Sequence, residues 1–155
     1  MLKKIITAFL ILFIISQFFQ PQKNEYTSIP DSDLILTEKP VQQIASIIKE
    51  SCYDCHSNNT AYPWYNKITP VNFWLKGHIK GAKKELNFSE WKYYSAKKKV
   101  HKLEEIIEVL ENNEMPLSSY TLMHSEAKLT NNETQVLINW ATITKIKYEV
   151  TDLPM

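Results

Sequence analysis

Apolar residues recur at helical spacing in four stretches of this chain. Within each stretch they fall mostly three or four positions apart, which places them on one face of a helix. No stretch alternates apolar and polar residues strongly enough to predict a sheet. The pattern therefore predicts an all-α domain. The four stripes are Val41, Ile44, Ile47 and Ile48; Val71, Trp74, Leu75, His78, Ile79 and Ala82; Val100, Leu103, Ile106, Ile107 and Leu110; and Val136, Leu137 and Trp140.

Proline and capping residues indicate where these helices begin. Pro40 falls in the first turn of the first helix, and Thr69 with Pro70 is expected to cap the second. Thr130 and Glu133 have the spacing of a capping box, which starts the last helix. The predicted organisation is a helix over 38–51, a second after residue 70, a third over about 95–111 and a last one after residue 130, within a folded domain at 38–148.

The first twenty residues form a separate hydrophobic segment. Lys3 and Lys4 precede an apolar run from Ile5 to Phe19, a pattern typical of an export signal. The run is short for a full membrane span, and no small-residue cleavage site follows it. We expect an uncleaved signal anchor over 1–20, which makes the protein single-pass in the inner membrane with its domain in the periplasm. The alternatives are a cleaved signal peptide, which leaves a soluble periplasmic protein, and a buried core helix.

A polar segment follows this anchor. Residues 21–37 contain Pro21 and Pro30 and lack helical periodicity. This composition predicts a linker between the membrane segment and the folded domain.

Composition and charge narrow the class of protein. With 44% apolar and 23% charged residues, the chain has the make-up of a globular protein, and its net charge of +1 gives no support to nucleic-acid binding. Its basic residues are all lysines, so bidentate recognition of carboxylate or phosphate by arginine is absent. Any partner for a cofactor carboxylate must then be Lys, Trp, Tyr, Asn or backbone.

The most specific chemical motif runs from Cys52 to His56 and reads Cys-Tyr-Asp-Cys-His. In an exported protein, a C-x-x-C-H motif indicates covalent attachment of a c-type haem. Cysteines three residues apart lie on nearly the same side of one helical turn, so both Cys52 and Cys55 can form thioethers with one porphyrin. His56 is then the expected proximal iron ligand. These are the only two cysteines in the chain.

The second axial position of the iron has several candidates. Met115 is favoured, because a Met-Pro pair on the loop before the last helix can bring a thioether across a haem face. His78 is the main alternative, although a lone histidine in an apolar stripe is more often a core residue. The weaker candidates are His124, Met123 and His101, of which His101 neighbours a lysine run and is expected to be solvated.

These features resemble class I cytochromes c, and more closely the bacterial membrane-anchored haem-binding domain family. The resemblance covers residues 41–141 and implies a cytochrome c-like helical fold around one covalent haem c held by Cys52, Cys55 and His56. It names no redox partner or substrate. The resembling stretches are 52–58, Tyr62 to Tyr65, Pro70 and Val71 with Trp74 and His78, Leu86 to Ser89, Glu114 to Leu117 with Tyr120, His124, Ala127 to Thr130, and Trp140.

The expected function is single-electron transfer by a membrane-tethered mono-haem cytochrome, and not enzyme catalysis. Lysines on the middle helices are either a solvated face or a docking surface for an acidic redox partner. The first alternative is a haem sensor or peroxidase-like domain with an open or displaceable sixth iron site. Two further alternatives dispense with haem: a zinc site formed by Cys52, Cys55, His56 and a later histidine, and a thioredoxin-like dithiol.

Overall fold

The computed structural model describes residues 1–26 and 28–151. Helices account for all the regular structure of this part of the chain, apart from one isolated bridge between Glu25 and Asn59. The prediction of an all-α fold is confirmed. The α-helices are α1 Leu2–Ser16, α2 Leu34–Glu38, α3 Gln42–Ser51, α4 Tyr53–His56, α5 Val71–Glu85, α6 Ala96–Glu111, α7 Ser118–Thr121 and α8 Asn131–Thr151, with 3-10 helices at Trp64–Lys67, Phe88–Tyr93 and Ser125–Ala127.

The core lies where α6 and α8 pack together and α3 contacts α8. The predicted stripes of α6 and α8 supply Leu103, Leu110 and Leu137 to this core, and their burial confirms the helical pattern. The capping box also forms, because the Thr130 amide donates to Glu133 (2.8 Å) and the Glu133 amide donates to the Thr130 hydroxyl (3.2 Å). The remaining buried members of the core are Leu34, Ile47, Ile48, Tyr53, Leu86, Phe88, Trp91 and Ala141.

The first predicted helix begins later than expected. Lys39 has a φ of 49°, in the left-handed region that commonly ends a helix, and it closes α2 after Glu38. Pro40 therefore lies between two helices, and α3 starts at Gln42. The predicted cap of α5 is also absent. The Thr69 hydroxyl donates to the Phe19 carbonyl (3.2 Å) and accepts from the Asn72 side chain (3.0 Å), and it accepts from no backbone amide of the helix.

The segment predicted to be a linker is held against the domain at several points. Asn24 donates to the carbonyl of Ser57 (2.7 Å), and the Ser32 hydroxyl donates to the carbonyl of Ser89 (2.6 Å). Helix α2 also lies in this segment, and its Leu34 is fully buried. A residue before this segment is hydrogen-bonded to the domain as well, since the Gln17 side chain accepts from the amide of Thr69 (2.9 Å).

Helix α1 has no buried residue. Among residues 1–26 and 28–151, no helix combines the length and apolar character that crossing a membrane requires.

A buried carboxylate ties α2 to the end of the chain. The Glu38 side chain, 2% exposed, accepts hydrogen bonds from Trp91 (2.7 Å), Lys147 (2.9 Å) and Tyr148. Burial alone raises the pKa of Glu38, but the three donors and the Lys147 charge outweigh it, so that the pKa lies below its usual value. Because the folded pKa is lowered, the ionised carboxylate stabilises the fold at neutral pH, and this contribution is lost as pH falls through the folded pKa.

We therefore expect Glu38→Gln to lower the free energy of unfolding at pH 7 by about 1–3 kcal/mol, because a charged acceptor of three hydrogen bonds is removed. The deficit relative to wild type should shrink as pH falls below about 4, where the carboxylate of the unfolded chain protonates, and it should be smallest below the folded pKa, where the native carboxylate is protonated too. Urea unfolding of wild type and variant at pH 7 and at a pH below about 4 measures the difference in the free energy of unfolding. Glu111→Gln, at an exposed position, is the matched control. A deficit that stays constant with pH would contradict the assignment.

Candidate haem-binding site

The Cys-Tyr-Asp-Cys-His motif forms a single helical turn directly after α3. The amide of His56 donates to the Cys52 carbonyl (3.0 Å), and the Ser57 amide donates to the Tyr53 carbonyl (3.0 Å). Both bonds span four residues, which is the α-helical pattern. The two cysteines and the histidine therefore lie on one helical turn, as the motif predicts.

The residue after Cys52 anchors this turn to the core. Tyr53 is 5% exposed, stacks on Phe88 with ring centroids 5.4 Å apart, and donates its hydroxyl to the carboxylate of Asp33. Asp33 is fully buried and also caps α2 by accepting from the Ile35 amide (3.0 Å). Burial raises the pKa of Asp33, while the hydrogen bonds from Tyr53 and Ile35 oppose that rise. Asp33 precedes the predicted domain at 38–148, so a residue outside that predicted domain holds the motif in place.

The imidazole of His56 is oriented by the backbone at the end of α5. Its Nδ1 lies 3.0 Å from the carbonyl oxygen of Leu86. Since a carbonyl oxygen only accepts, Nδ1 carries the hydrogen and the lone pair is on Nε2. Burial lowers the pKa of His56, although hydrogen bonds to the Leu86 and Ala82 carbonyls partly oppose this. A neutral imidazole held through Nδ1–H is the form that binds a metal through Nε2.

A cavity of about 410 Å³ lies beside this histidine. Cys52, His56 and Met115 all line it, so the first cysteine, the proximal candidate and the favoured distal candidate face one space. The rest of the lining is mostly apolar and comes from α3, α6, α8 and the segment after α5, including Ile48, Leu86, Phe88, Ile106, Leu137 and Trp140. This volume is in the range of pockets that hold cofactors.

The turn after α6 positions Met115. Asn113 has a φ of 55°, and its amide donates to the Leu110 carbonyl (3.2 Å) while the Glu114 amide donates to the Val109 carbonyl (2.9 Å). These two bonds form a Schellman motif, in which a left-handed residue ends the helix and reverses the chain. Asparagine tolerates this conformation better than most residues. The reversal returns Met115 to the cavity wall.

The other distal candidates do not line this cavity. His78 is half-buried and packs on Trp74, with ring centroids 4.3 Å apart. His124 shares a hydrogen bond with the Tyr65 hydroxyl (2.9 Å) on the opposite side of the motif. His101 is exposed and pairs with Glu105, and Met123 is 55% exposed. Met115 is thus the one distal candidate that shares a cavity with His56 in the described part of the chain.

Cys55 lies on a second and much smaller cavity with Asp54, Tyr65, Tyr120 and His124. The Tyr120 hydroxyl donates to Asp54 (2.8 Å), which also accepts from the Ala61 amide (2.8 Å). Tyr120 follows Met115 by five residues, so this hydrogen bond joins the loop that carries Met115 to the motif that carries His56. Tyr120 belongs to the stretches that resemble the family, but the sequence does not predict this contact with Asp54.

Comparison with known proteins identifies the family. The model of the haem-binding domain family matches residues 11–143, which is most of the chain. The chain belongs to the haem-binding domain family. No significant match was found among curated proteins or among solved structures.

The residues around the cavity that His56 lines fit a haem, as expected for a haem-binding domain protein. An apolar space suits a porphyrin, and the donors on its walls are an imidazole in the metal-binding tautomer and a thioether. Cys52 and Cys55 form no disulfide with each other, and burial raises the pKa of the Cys52 thiol to about 12 and that of the Cys55 thiol to about 11. His56 and Met115 are the residues that would hold the iron, and Cys52, at the cavity wall, would be an attachment point.

A buried lysine lies at this cavity, where the sequence predicts only surface lysines on the same helix. Lys102 was grouped with the surface lysines, yet it is 8% exposed, lines the cavity and donates to Glu105 (2.6 Å). It is the lysine available there for a haem carboxylate. The other charged residues of the lining are acidic, namely Glu85, Glu105, Glu108 and Glu114. Helix periodicity alone did not distinguish Lys102 from the exposed lysines around it.

The two haem-free alternatives find little support in this arrangement. No group of three or more His, Cys, Asp or Glu side chains within residues 1–26 and 28–151 is placed to hold a metal ion, so no later histidine joins Cys52, Cys55 and His56. The same residues form no strand, and a thioredoxin-like dithiol needs a βαβ context.

Proposed function

We propose that this haem-binding protein is a mono-haem c-type cytochrome that transfers single electrons outside the cytoplasm and is not an enzyme. The observation that carries the proposal is the shared cavity of Cys52, His56 and Met115. A bound haem supplies reversible one-electron chemistry at its iron, and His/Met ligation favours a high reduction potential.

The protein's own side chains support an electron carrier over a sensor or peroxidase. His56 and Met115 would both hold the iron in this assignment, which would leave no position for oxygen, peroxide or another small ligand. Phe88, Leu137 and Trp140 contribute apolar walls to the cavity. A fixed low-polarity environment limits the reorganisation that accompanies a change of charge, which suits electron transfer.

We further propose that the N-terminal segment attaches the protein to a membrane. The side chains of α1 are exposed and mostly apolar, among them Ile5, Phe9 and Leu12 at 51%, 69% and 62%. Apolar surface of this extent favours burial in lipid. Lys3 and Lys4 precede it, as in export signals that keep their positive end in the cytoplasm.

The function is tested on the full-length protein, produced in a bacterial host with a c-type maturation system. We expect haem staining in the membrane fraction, and an absorption spectrum that cycles between oxidised and reduced low-spin forms. The reduced protein should not bind carbon monoxide, because Met115 fills the second axial position. Rapid carbon monoxide binding by wild type would favour the sensor alternative. Haem staining only in the soluble periplasmic fraction would contradict the membrane attachment and leave the cytochrome assignment intact.

A further inference from the structure

A groove separate from the haem cavity lies between the N-terminal segment and α5. Its volume is about 470 Å³, with residues 22–26 as one wall and α5 as the other. The first wall is held in place by backbone hydrogen bonds, since the Tyr26 amide donates to Asn58 (3.2 Å) and the Thr60 amide donates to Asn24 (3.0 Å). The Asn24 amide also donates to the Tyr62 hydroxyl (2.8 Å). The wall of the groove formed by residues 22–26 is therefore fixed in place by the fold.

Lysines dominate its lining. Five of them face the groove, and Glu25 is the one carboxylate among the described lining residues, already paired with Lys23 at 3.2 Å. Lys83 donates to the Asn24 side chain (2.6 Å), and burial lowers its pKa. Within residues 1–26 and 28–151, the other three lysines of α5 form no ion pair. The five lysines are Lys23, Lys76, Lys80, Lys83 and Lys84.

The spacing of the α5 lysines opposes helix stability unless an anion is present. Lys76, Lys80 and Lys84 are each four residues apart, so they are neighbours on one helix face, where like charges repel. The negative end of the helix dipole favours Lys84, but it does not reach Lys76 and Lys80 in the middle of the helix. An anionic ligand in the groove would relieve this repulsion.

The shape of the groove favours an acidic polypeptide. From Lys76 to Lys84 the helix rises about 12 Å, which matches about four residues of an extended chain. A concave groove can enclose such a chain, whereas the flat surface of a bilayer would contact only the residues at the edge of the groove. The haem cavity, lined by Glu85, Glu105, Glu108 and Glu114, repels the same acidic segment. We propose that this groove docks a short acidic segment of a partner protein.

The test uses full-length haem-loaded protein in detergent and a fluorescein-labelled peptide of ten glutamates, with binding followed by fluorescence anisotropy. Lys76→Gln/Lys80→Gln/Lys84→Gln removes the groove charges. Lys49→Gln/Lys97→Gln/Lys128→Gln removes three exposed lysines elsewhere and keeps the same net charge. We expect the groove variant to weaken binding about tenfold or more and the control variant less than about threefold, with binding by wild type falling as salt is raised.

Equal losses in both variants would show attraction to net charge only, and would overturn the proposal. Absence of salt-sensitive binding by wild type would overturn it too. Vesicles containing phosphatidylserine serve as a competing probe: if they bind with the same dependence on the groove lysines and displace the peptide, the groove recognises lipid headgroups instead. The haem spectrum of each variant is recorded separately, so that failure of docking is distinguishable from failure of the proposed cytochrome function.

Discussion

Replacing both Cys52 and Cys55 by alanine is expected to yield a polypeptide without covalent haem and with a poorly folded domain. These are the only thiols in the chain, so no other residue can form a thioether. Loss of the haem also leaves the apolar walls of the cavity, among them Phe88, Leu137 and Trp140, without their partner. Burial of one large apolar side chain contributes about 1.5–3 kcal/mol, so exposing several removes much of the stability of a domain, about 5–15 kcal/mol.

The mass of the denatured protein and haem staining after electrophoresis measure attachment, and thermal unfolding followed by circular dichroism measures stability. The single variants Cys52→Ala and Cys55→Ala are the matched controls, because each keeps one attachment point and should keep some covalent haem. Denatured wild type with the mass of bare polypeptide would refute the c-type assignment. Haem that is bound but extractable would leave a haem-binding protein without thioethers.

Features coded by neighbouring residues were predictable from the sequence. The Thr130–Glu133 capping box and the helical turn from Cys52 to His56 each depend on residues within four positions, and both are present. The stripes of α6 and α8 were also predicted, because the spacing of apolar residues reflects the face that packs.

Features that depend on distant partners were not predictable. Asp33 and Glu38 look like ordinary polar residues beside a linker. Their burial depends on partners that are distant in the sequence but close in the fold. Asp33 is hydrogen-bonded to Tyr53, 20 positions away, and Glu38 is hydrogen-bonded to Tyr148, 110 positions away. The segment predicted to connect the anchor to the domain is consequently part of the packing.

The same limit applies to the site. The motif identifies Cys52, Cys55 and His56, but it does not indicate that Leu86 orients the imidazole or that Tyr120 reaches Asp54. The sequence favours Met115 over His78 and His124 as distal ligand but keeps all three as candidates, because spacing alone does not say which face of the motif a later residue meets. Their positions in the fold distinguish them, since His78 and His124 lie outside the cavity that Met115 lines.

Met115→Ala is the second substitution with a large expected effect. If Met115 is the distal ligand, its removal opens one axial position of the iron. The variant should then lose the weak long-wavelength absorption band of methionine ligation, bind carbon monoxide when reduced, and show a reduction potential lower by on the order of 100 mV. The covalent haem content should be unchanged, because Cys52 and Cys55 are untouched. Optical spectra with and without carbon monoxide and a potentiometric titration measure these effects.

Two variants make this test specific. Met123→Ala removes an exposed methionine eight residues away and should leave spectrum and potential as in wild type. Tyr120→Phe keeps Met115 but removes the hydrogen bond to Asp54 that joins its loop to the motif. We expect a partial loss of the methionine band, since a loop held less firmly presents the thioether for a smaller fraction of the time. If Met115→Ala changes nothing while His78→Ala makes the iron high-spin, the distal ligand is His78, and α5 must then adopt a different position from the one described.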